Sequence, residues 1–295
     1  PAFFFDPMQS LWMIVASFLF ACMGVCVKLA ADTFSAPEIV FYRSVISLVL
    51  MIGLMRLSGI SFATPHPRVQ FLRGASGFVS LLMFFYAIAM LPLAAAVTLN
   101  YTSPIFLALY FAAFAGMRLR TGMIVALAIG FLGVAILLQP TLGSEQWLGG
   151  LVALGSGVIS GLAYFNVREL GARGEPEART VFYFSLFATL CSAAWMLLHE
   201  FHPVDLRGGL LLFGVGGFAT LAQLCMTRAY KRGKPIVAAS LAYTAIVFAS
   251  LFGIVFWDER LPQGAWLGIT LIVASGVAAS RFSRAESVTI AAEQD

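Results

Sequence analysis

The stretch 99–104, Leu-Asn-Tyr-Thr-Ser-Pro, interrupts a long apolar run, with Leu91–Val97 before it and Ile105–Phe111 after it. An amide, a phenol, two hydroxyls and a proline in such company need partners other than hydrocarbon. Residues 241–246 read Leu-Ala-Tyr-Thr-Ala-Ile, so that Leu99, Tyr101 and Thr102 recur as Leu241, Tyr243 and Thr244 at a spacing of 142. The fold turns on this pair. If both stretches are membrane helices of a duplicated chain, polar cluster and repeat coincide at mid-membrane. Pro104 then kinks its helix by removing the bond to the Asn100 carbonyl, while 241–246 continues as plain helix.

Composition supports the membrane. The 295 residues are 60% hydrophobic and 11% charged, with a mean hydropathy of +0.92. Soluble domains carry about 25% charged residues, so this chain lacks the polar surface to face water. At about 20 residues per span, ten spans leave only short connections, and residues 1–295 read as a single membrane domain. The first apolar segment is longer than a signal-peptide core and is read as a retained helix. Cys22, Cys26, Cys191 and Cys225 all fall within apolar segments and form no extracellular disulfide framework. The net charge of +4 is not gathered into a basic patch, which excludes nucleic acid as a partner.

Spans are predicted near 11–30, 38–57, 70–91, 94–116, 122–139, 147–168, 178–198, 207–229, 235–257 and 263–282. Proline- and glycine-containing breaks such as Ser35-Ala36-Pro37, Leu91-Pro92 and Gly174-Glu175-Pro176 separate them. Fourteen of the eighteen Lys and Arg residues, Arg73 among them, then fall on one side. Only Arg207 and Arg260 lie in connections on the other, with Lys28 and Arg43 inside helix ends. By the positive-inside rule both termini are cytoplasmic.

Other matches keep nearly the same offset. Arg118-Leu119 recurs as Arg260-Leu261 at 142, Val40-Phe41-Tyr42 as Val181-Phe182-Tyr183 at 141, and Gly77-Phe78 as Gly217-Phe218 at 140. Repeat one spans about 11–139 and repeat two about 147–282. Five helices per unit is an odd number, so the second copy runs through the membrane inverted. Inverted repeats around a midplane site are a recurrent architecture of secondary transporters. The fold class is therefore an all-α integral membrane protein, ten transmembrane helices as two inverted five-helix repeats around a central cavity.

These residues resemble a known group. Phe41-Tyr42-Arg43, Arg73-Gly74, Tyr86-Ala87 with Leu91-Pro92-Leu93, Pro104, and Asp258-Glu259-Arg260-Leu261 before Gly268 and Gly276 are similar to the drug/metabolite transporter superfamily, in its ten-helix EamA branch. Within it the chain looks most like the YddG-type exporters of aromatic amino acids and methyl viologen. The resemblance implies a cavity lined by helices 1, 3, 4, 6, 8 and 9, with helices 5 and 10 peripheral and packed through Gly130, Gly133, Gly268 and Gly276. It also implies export, from a bacterial cytoplasmic (inner) membrane. The first half departs from the pattern in having Met117 where many members carry an acid, and Pro104 is matched by Ile246.

Polar residues inside spans map the candidate substrate site. They are Asn100, Tyr101, Tyr243, Thr244, Gln223, Tyr86, Tyr164, Ser160 and Ser240. Single hydroxyls can equally satisfy their own helix, and Asn100 and Gln223 can equally bridge helices. Ser156, Ser160 and Tyr164 share one helix face, with Gly157 and Gly161 forming a packing face beside it. Pro104, Arg43 and Lys28 are gating or structural candidates. Arg43, about 9 Å into its helix at 1.5 Å per residue, either snorkels outward or pairs with Glu38 or Asp32, or else attracts anions at the outer vestibule.

No Asp or Glu occupies the middle third of a span, which argues against carboxylate-based proton coupling. With only Lys28 and Arg43 inside helices, both near the outer face, the inventory suits a neutral, zwitterionic or cationic compound with an apolar or aromatic body. The expected activity is export of amino acids, preferably large apolar or aromatic ones, or of aromatic cations, by alternating access. The partners are the bilayer and an amino acid or amine-like metabolite, the chain acting as a monomer without cofactor or metal. Nucleotide sugars or sugar phosphates are the alternative substrates and would need several convergent cationic residues. An intramembrane protease is disfavoured, because Gly74-Ala75-Ser76-Gly77 has no histidine within reach. His199-Glu200-Phe201-His202 lacks the spacing of a zinc motif.

Overall fold

The computed structural model describes residues 11–114, 146–198, 201–232, 241–260 and 263–292, with scattered positions between 121 and 136. The chain is an all-helical integral membrane protein. Its helices are α1 (Trp12–Ala30), α2 (Ala36–Leu57), α3 (Pro67–Met90), α4 (Leu93–Asn100), α5 (Ser103–Phe114), α6 (Trp147–Ala172), α7 (Glu177–Met196), α8 (Leu206–Arg232), α9 (Thr244–Trp257) and α10 (Gln263–Ala292). Helices α1, α2, α3, α6 and most of α8 are long and apolar enough to cross a membrane on their own. The fourth span is divided between α4 and α5. The fifth falls mainly outside the described residues, as do Met117, Arg118 and Ser240.

Local chemistry sets the helix ends. Proline opens α2 and α3 and immediately precedes α4 and α7, where a missing N–H costs the helix nothing. The Glu38 carboxylate accepts from both the N–H (2.7 Å) and the hydroxyl (2.8 Å) of Ser35 at the start of α2. At the start of α8, Asp205 accepts from the Gly208 N–H at 2.7 Å. Asp258 ends α9 in the left-handed region, at φ 49°.

The packing follows a two-fold pattern. Helix α1 lies along α8, and its repeat mate α6 lies along α3, the mate of α8. In the same way α2 against α8 is matched by α7 against α3, and α9 against α1 by α4 and α5 against α6. Two contacts, α2 with α7 and α4 with α9, map onto themselves and mark the axis. A duplicated chain with a two-fold axis between its halves gives this set.

Glycine permits the closest approaches. A Cβ at Gly157 of α6 would lie 2.8 Å from the Leu99 carbonyl oxygen, and one at Gly161 would lie 3.1 Å from that of Ser103. The small-residue face of α6 therefore seats directly on the α4–α5 junction. At the periphery a Cβ at Gly133 would come within 2.9 Å of the Gly268 carbonyl, and one at Gly130 within 2.3 Å of the Ser275 hydroxyl.

Ion pairs among the described residues gather at the two ends of the bundle. At one end Glu175 accepts from Thr64 (2.6 Å) and pairs with Arg179 (3.0 Å), while Tyr183 donates to the Phe62 carbonyl (2.9 Å). At the other, Glu38 meets the His202 ring (2.8 Å), and Lys28 pairs with Glu259. Lys28 also donates to the Leu91 carbonyl, and both Glu259 oxygens accept from the Leu93 N–H. This cluster ties α1, the α3–α4 corner and the α9–α10 corner together. Lys28, a gating candidate by sequence, is thus held in an inter-repeat ion pair with its ammonium over Trp257.

Candidate functional site

The fourth span is broken rather than kinked. Tyr101 and Thr102 form a turn between α4 and α5, and the Thr102 hydroxyl bonds the Leu99 carbonyl at 2.7 Å. Pro104 falls in the first turn of α5, where it initiates a helix instead of bending one. The second copy corrects the expectation of unbroken helix. Tyr243 is a turn residue ahead of α9, and Thr244 bonds the Leu241 carbonyl at 2.6 Å. The same Thr-to-Leu bond stands at both breaks, and the second forms without a proline. Tyr101 and Tyr243 meet across the axis, with ring centroids 6.4 Å apart.

Beside this junction lies a cavity of about 100 Å³ lined by both repeats. Of the candidates, Asn100, Tyr101, Ser160, Tyr164 and Gln223 line it. Asn100 also bridges helices: its Nδ2 donates to Ser156 at 2.9 Å, and Ser160 shares a 2.5 Å bond with Ser80. The amide thus acts as wall and tie at once. The Gln223 side chain lines the cavity and makes no hydrogen bond to a described residue.

Three candidates lie elsewhere. Tyr243 is buried against Tyr101 outside the lining, and Thr244 turns its hydroxyl back to its own helix. Tyr86 is 44% exposed. It stands two residues beyond the lining Phe84 and so points about 200° away around α3.

The main departure from expectation is charge. Arg43 neither snorkels nor pairs with Glu38 or Asp32; Glu38 is held by Ser35 and His202 instead. Its side chain is 2% exposed, lines the cavity and sits 5.2 Å from the centre of the Phe184 ring. Arg73, assigned above to the cytoplasmic set, is 6% exposed, lines the same cavity and lies 4.4 Å over the same ring. Tyr164 stands close enough to Arg73 to interact with it electrostatically. Through Arg43 and Phe184, helices α2 and α7 join the six expected to form the wall.

Sequence reasoning missed Arg73 and Phe184, although both left signals. Gly77 lies one turn after Arg73 on the same face, and a Cβ there would lie 2.0 Å from Arg73 Nη1 and 2.9 Å from the Phe184 ring. The glycine is the space in which the guanidinium lies. Phe184 is the repeat mate of Arg43 at the 141 offset. Phe20, Met23, Leu81, Phe84 and Met226 add apolar surface to the lining. Ser76, the serine of the protease-like motif, donates to the Leu72 carbonyl of its own helix.

Known proteins share this architecture. The pseudopaline exporter CntI of Pseudomonas aeruginosa is 35% identical over 268 residues, covering 91% of this chain and 94% of that protein. A riboflavin transporter of Vibrio cholerae is 25% identical, with 91% and 92% covered. Human solute carrier family 35 member G1 is 24% identical, with 91% and 78% covered. A solved structure superposes with a TM-score of 0.68 over 94% of this chain and 99% of its own, at 21% identity, a likeness of fold alone. The family model for EamA-like transporters matches twice, at residues 8–139 and 147–280. Two tandem matches on a two-fold set of helix contacts make the chain a member of the EamA-like transporter family.

Proposed function

We propose that the protein is a secondary carrier that exports small carboxylate-bearing metabolites, amino acids with a large apolar or aromatic body among them, by alternating access of its two halves. The observation that carries this reading is the mixed lining of the cavity beside the broken helices. It offers guanidinium, amide and hydroxyl groups together with aromatic rings and methionine. A carboxylate with an apolar side chain matches both kinds of group. Two arginines disfavour the aromatic cations that the sequence also allowed.

The cavity of about 100 Å³ is small beside ligand pockets of ~300–1,000 Å³, so the halves must part to admit a substrate. Breaks in the fourth and ninth spans supply hinges where the backbone is already released from the helical ladder. No carboxylate among the described residues lines the cavity, which supports facilitated diffusion over proton coupling through an acidic side chain. The bias of basic residues supports cytoplasmic termini and a place in the bacterial inner membrane. Both halves of one chain contribute to the cavity lining, in keeping with a monomer. The export direction is supported by the likeness to an exporter.

A second reading is favoured by one observation. The arginine pair also suits sugar phosphates or nucleotide sugars. Counterflow in proteoliposomes with labelled amino acids and sugar phosphates tests both. Exchange of amino acids is expected; exchange of sugar phosphates alone would replace this reading by the second. Gradient-driven accumulation under an imposed pH difference would overturn the uncoupled mode.

A further inference from the structure

We infer that the cavity takes an organic dianion, two carboxylates or one phosphate monoester, on an apolar body. The inference rests on the transport reading above and narrows its substrate. Arg43 lies about 10 Å in from the start of α2 and Arg73 about 9 Å in from the start of α3, at 1.5 Å per residue. Those two helix starts are on opposite faces of the membrane in the ten-span arrangement. The two side chains therefore approach from opposite sides and meet on one ring, that of Phe184.

Neither arginine forms an ion pair with a carboxylate among the described residues. Arg43 Nε and Nη1 and Arg73 Nε are buried without a hydrogen-bond partner. Like charges at this depth repel each other, lack solvation, and ordinarily pair or face a pathway. A monoanion leaves one of them uncompensated. A dianion balances both.

The rest of the wall agrees. Among the described residues it contains no carboxylate to hold a substrate ammonium, only neutral groups such as Asn100, Tyr164 and Gln223. The fold itself does not demand arginine at these places: the equivalent positions in the second half, at offsets 141 and 140, are Phe184 and Phe213. Gly77, at which an added Cβ would collide with Arg73, leaves the guanidinium room on the cavity wall.

The test uses four compounds with one phenyl ring: phenylsuccinate, phenyl phosphate, L-phenylalanine and L-phenylalanine methyl ester. Affinities are measured by calorimetry on the purified full chain at slightly alkaline pH, and counterflow is measured in proteoliposomes. At least one dianion should bind about tenfold or more tightly than phenylalanine, with the cationic ester weakest. Comparison of phenylsuccinate with phenyl phosphate distinguishes carboxylate from phosphate as the natural head group.

In Arg43→Gln and Arg73→Gln the dianion advantage should shrink to within about threefold, and Arg73→Lys should keep part of it. Size-exclusion profiles and melting temperatures check folding, and the wild-type ranking stands without the variants. Phenylalanine binding as tightly as both dianions overturns the inference, as does an advantage that survives in both Gln variants. Phenylalanine counterflow without dianion preference overturns it while leaving the transport reading intact. Dianion binding without counterflow of any compound supports it and overturns transport instead. Absence of binding by all four overturns it.

Discussion

Gly77→Ala separates the packing of the site from its chemistry. The new Cβ would lie 2.0 Å from Arg73 Nη1, whereas ordinary contact begins at 3.4 Å, so the guanidinium must retreat by about 1.4 Å (3.4 − 2.0). The far end of a flexible side chain can do this, but it then leaves its place over Phe184. Overpacking costs ~1–3 kcal/mol, and alanine is ~1 kcal/mol better than glycine in a helix. Net stability should therefore change by no more than about 2 kcal/mol. The loss in function is larger. A hydrogen bond to a charged group contributes ~1.5–3 kcal/mol, which at 1.4 kcal/mol per decade is about 10- to 100-fold in substrate affinity. The assay pairs melting temperature with counterflow and calorimetry for Gly77→Ala, Arg73→Gln and the double variant. Because both changes act through one guanidinium, the double variant should be no worse than Arg73→Gln alone. Wild-type affinity and flux in a folded Gly77→Ala protein would refute the placement of Arg73 at the substrate.

Other outcomes follow from the same contacts. Gly157→Ala forces a Cβ to within 2.8 Å of the Leu99 carbonyl, a backbone atom that cannot swing aside, and should lower the melting temperature clearly, whereas Gly217→Ala, with open space around it, should not. Asn100→Leu removes the amide that ties α4 to α6 through Ser156 and should cut transport sharply in a folded protein, read by proteoliposome flux. Glu259→Leu strips both Lys28 and the Leu93 N–H of their acceptor and should destabilise the protein by ~1–3 kcal/mol, while Glu259→Gln, which can still accept from Leu93, should cost less, as measured by thermal unfolding.

Periodicity and repetition carried most of the architecture. Tyr101-Thr102 and Tyr243-Thr244 are recognisable because an inverted duplication keeps spacing even where composition is monotonous. Asn100, Tyr101, Ser160, Tyr164 and Gln223 stood out as candidates for the cavity wall because a polar side chain within a span needs a partner or a cavity, a rule that did not separate them from Tyr86 and Tyr243. The rotation of Tyr86 away from the cavity was not legible, because a helix of mixed small and aromatic residues shows no clear polar face. Arg73 was hidden by proximity to a helix end, where arginine normally reaches water. Only the tertiary contact of Gly77 and Phe184 turns its side chain inward. The break at Tyr243 was hidden because Ile246 stands where Pro104 announces the first one.

The placement of both arginines in one repeat has an electrical consequence. Two identical inverted halves would make the inward- and outward-open forms equal in energy by symmetry. Among the described lining residues, the first half carries two positive charges into the cavity and the second half carries none. If the halves rock, both charges move the same way through the transmembrane field, where a full crossing is worth ~2.3 kcal/mol per charge per 100 mV. The empty carrier is then biased by voltage, and a bound dianion cancels the charge that feels it. On the alternating-access reading proposed above, asymmetry within a duplicated chain makes the balance between the two empty forms depend on voltage.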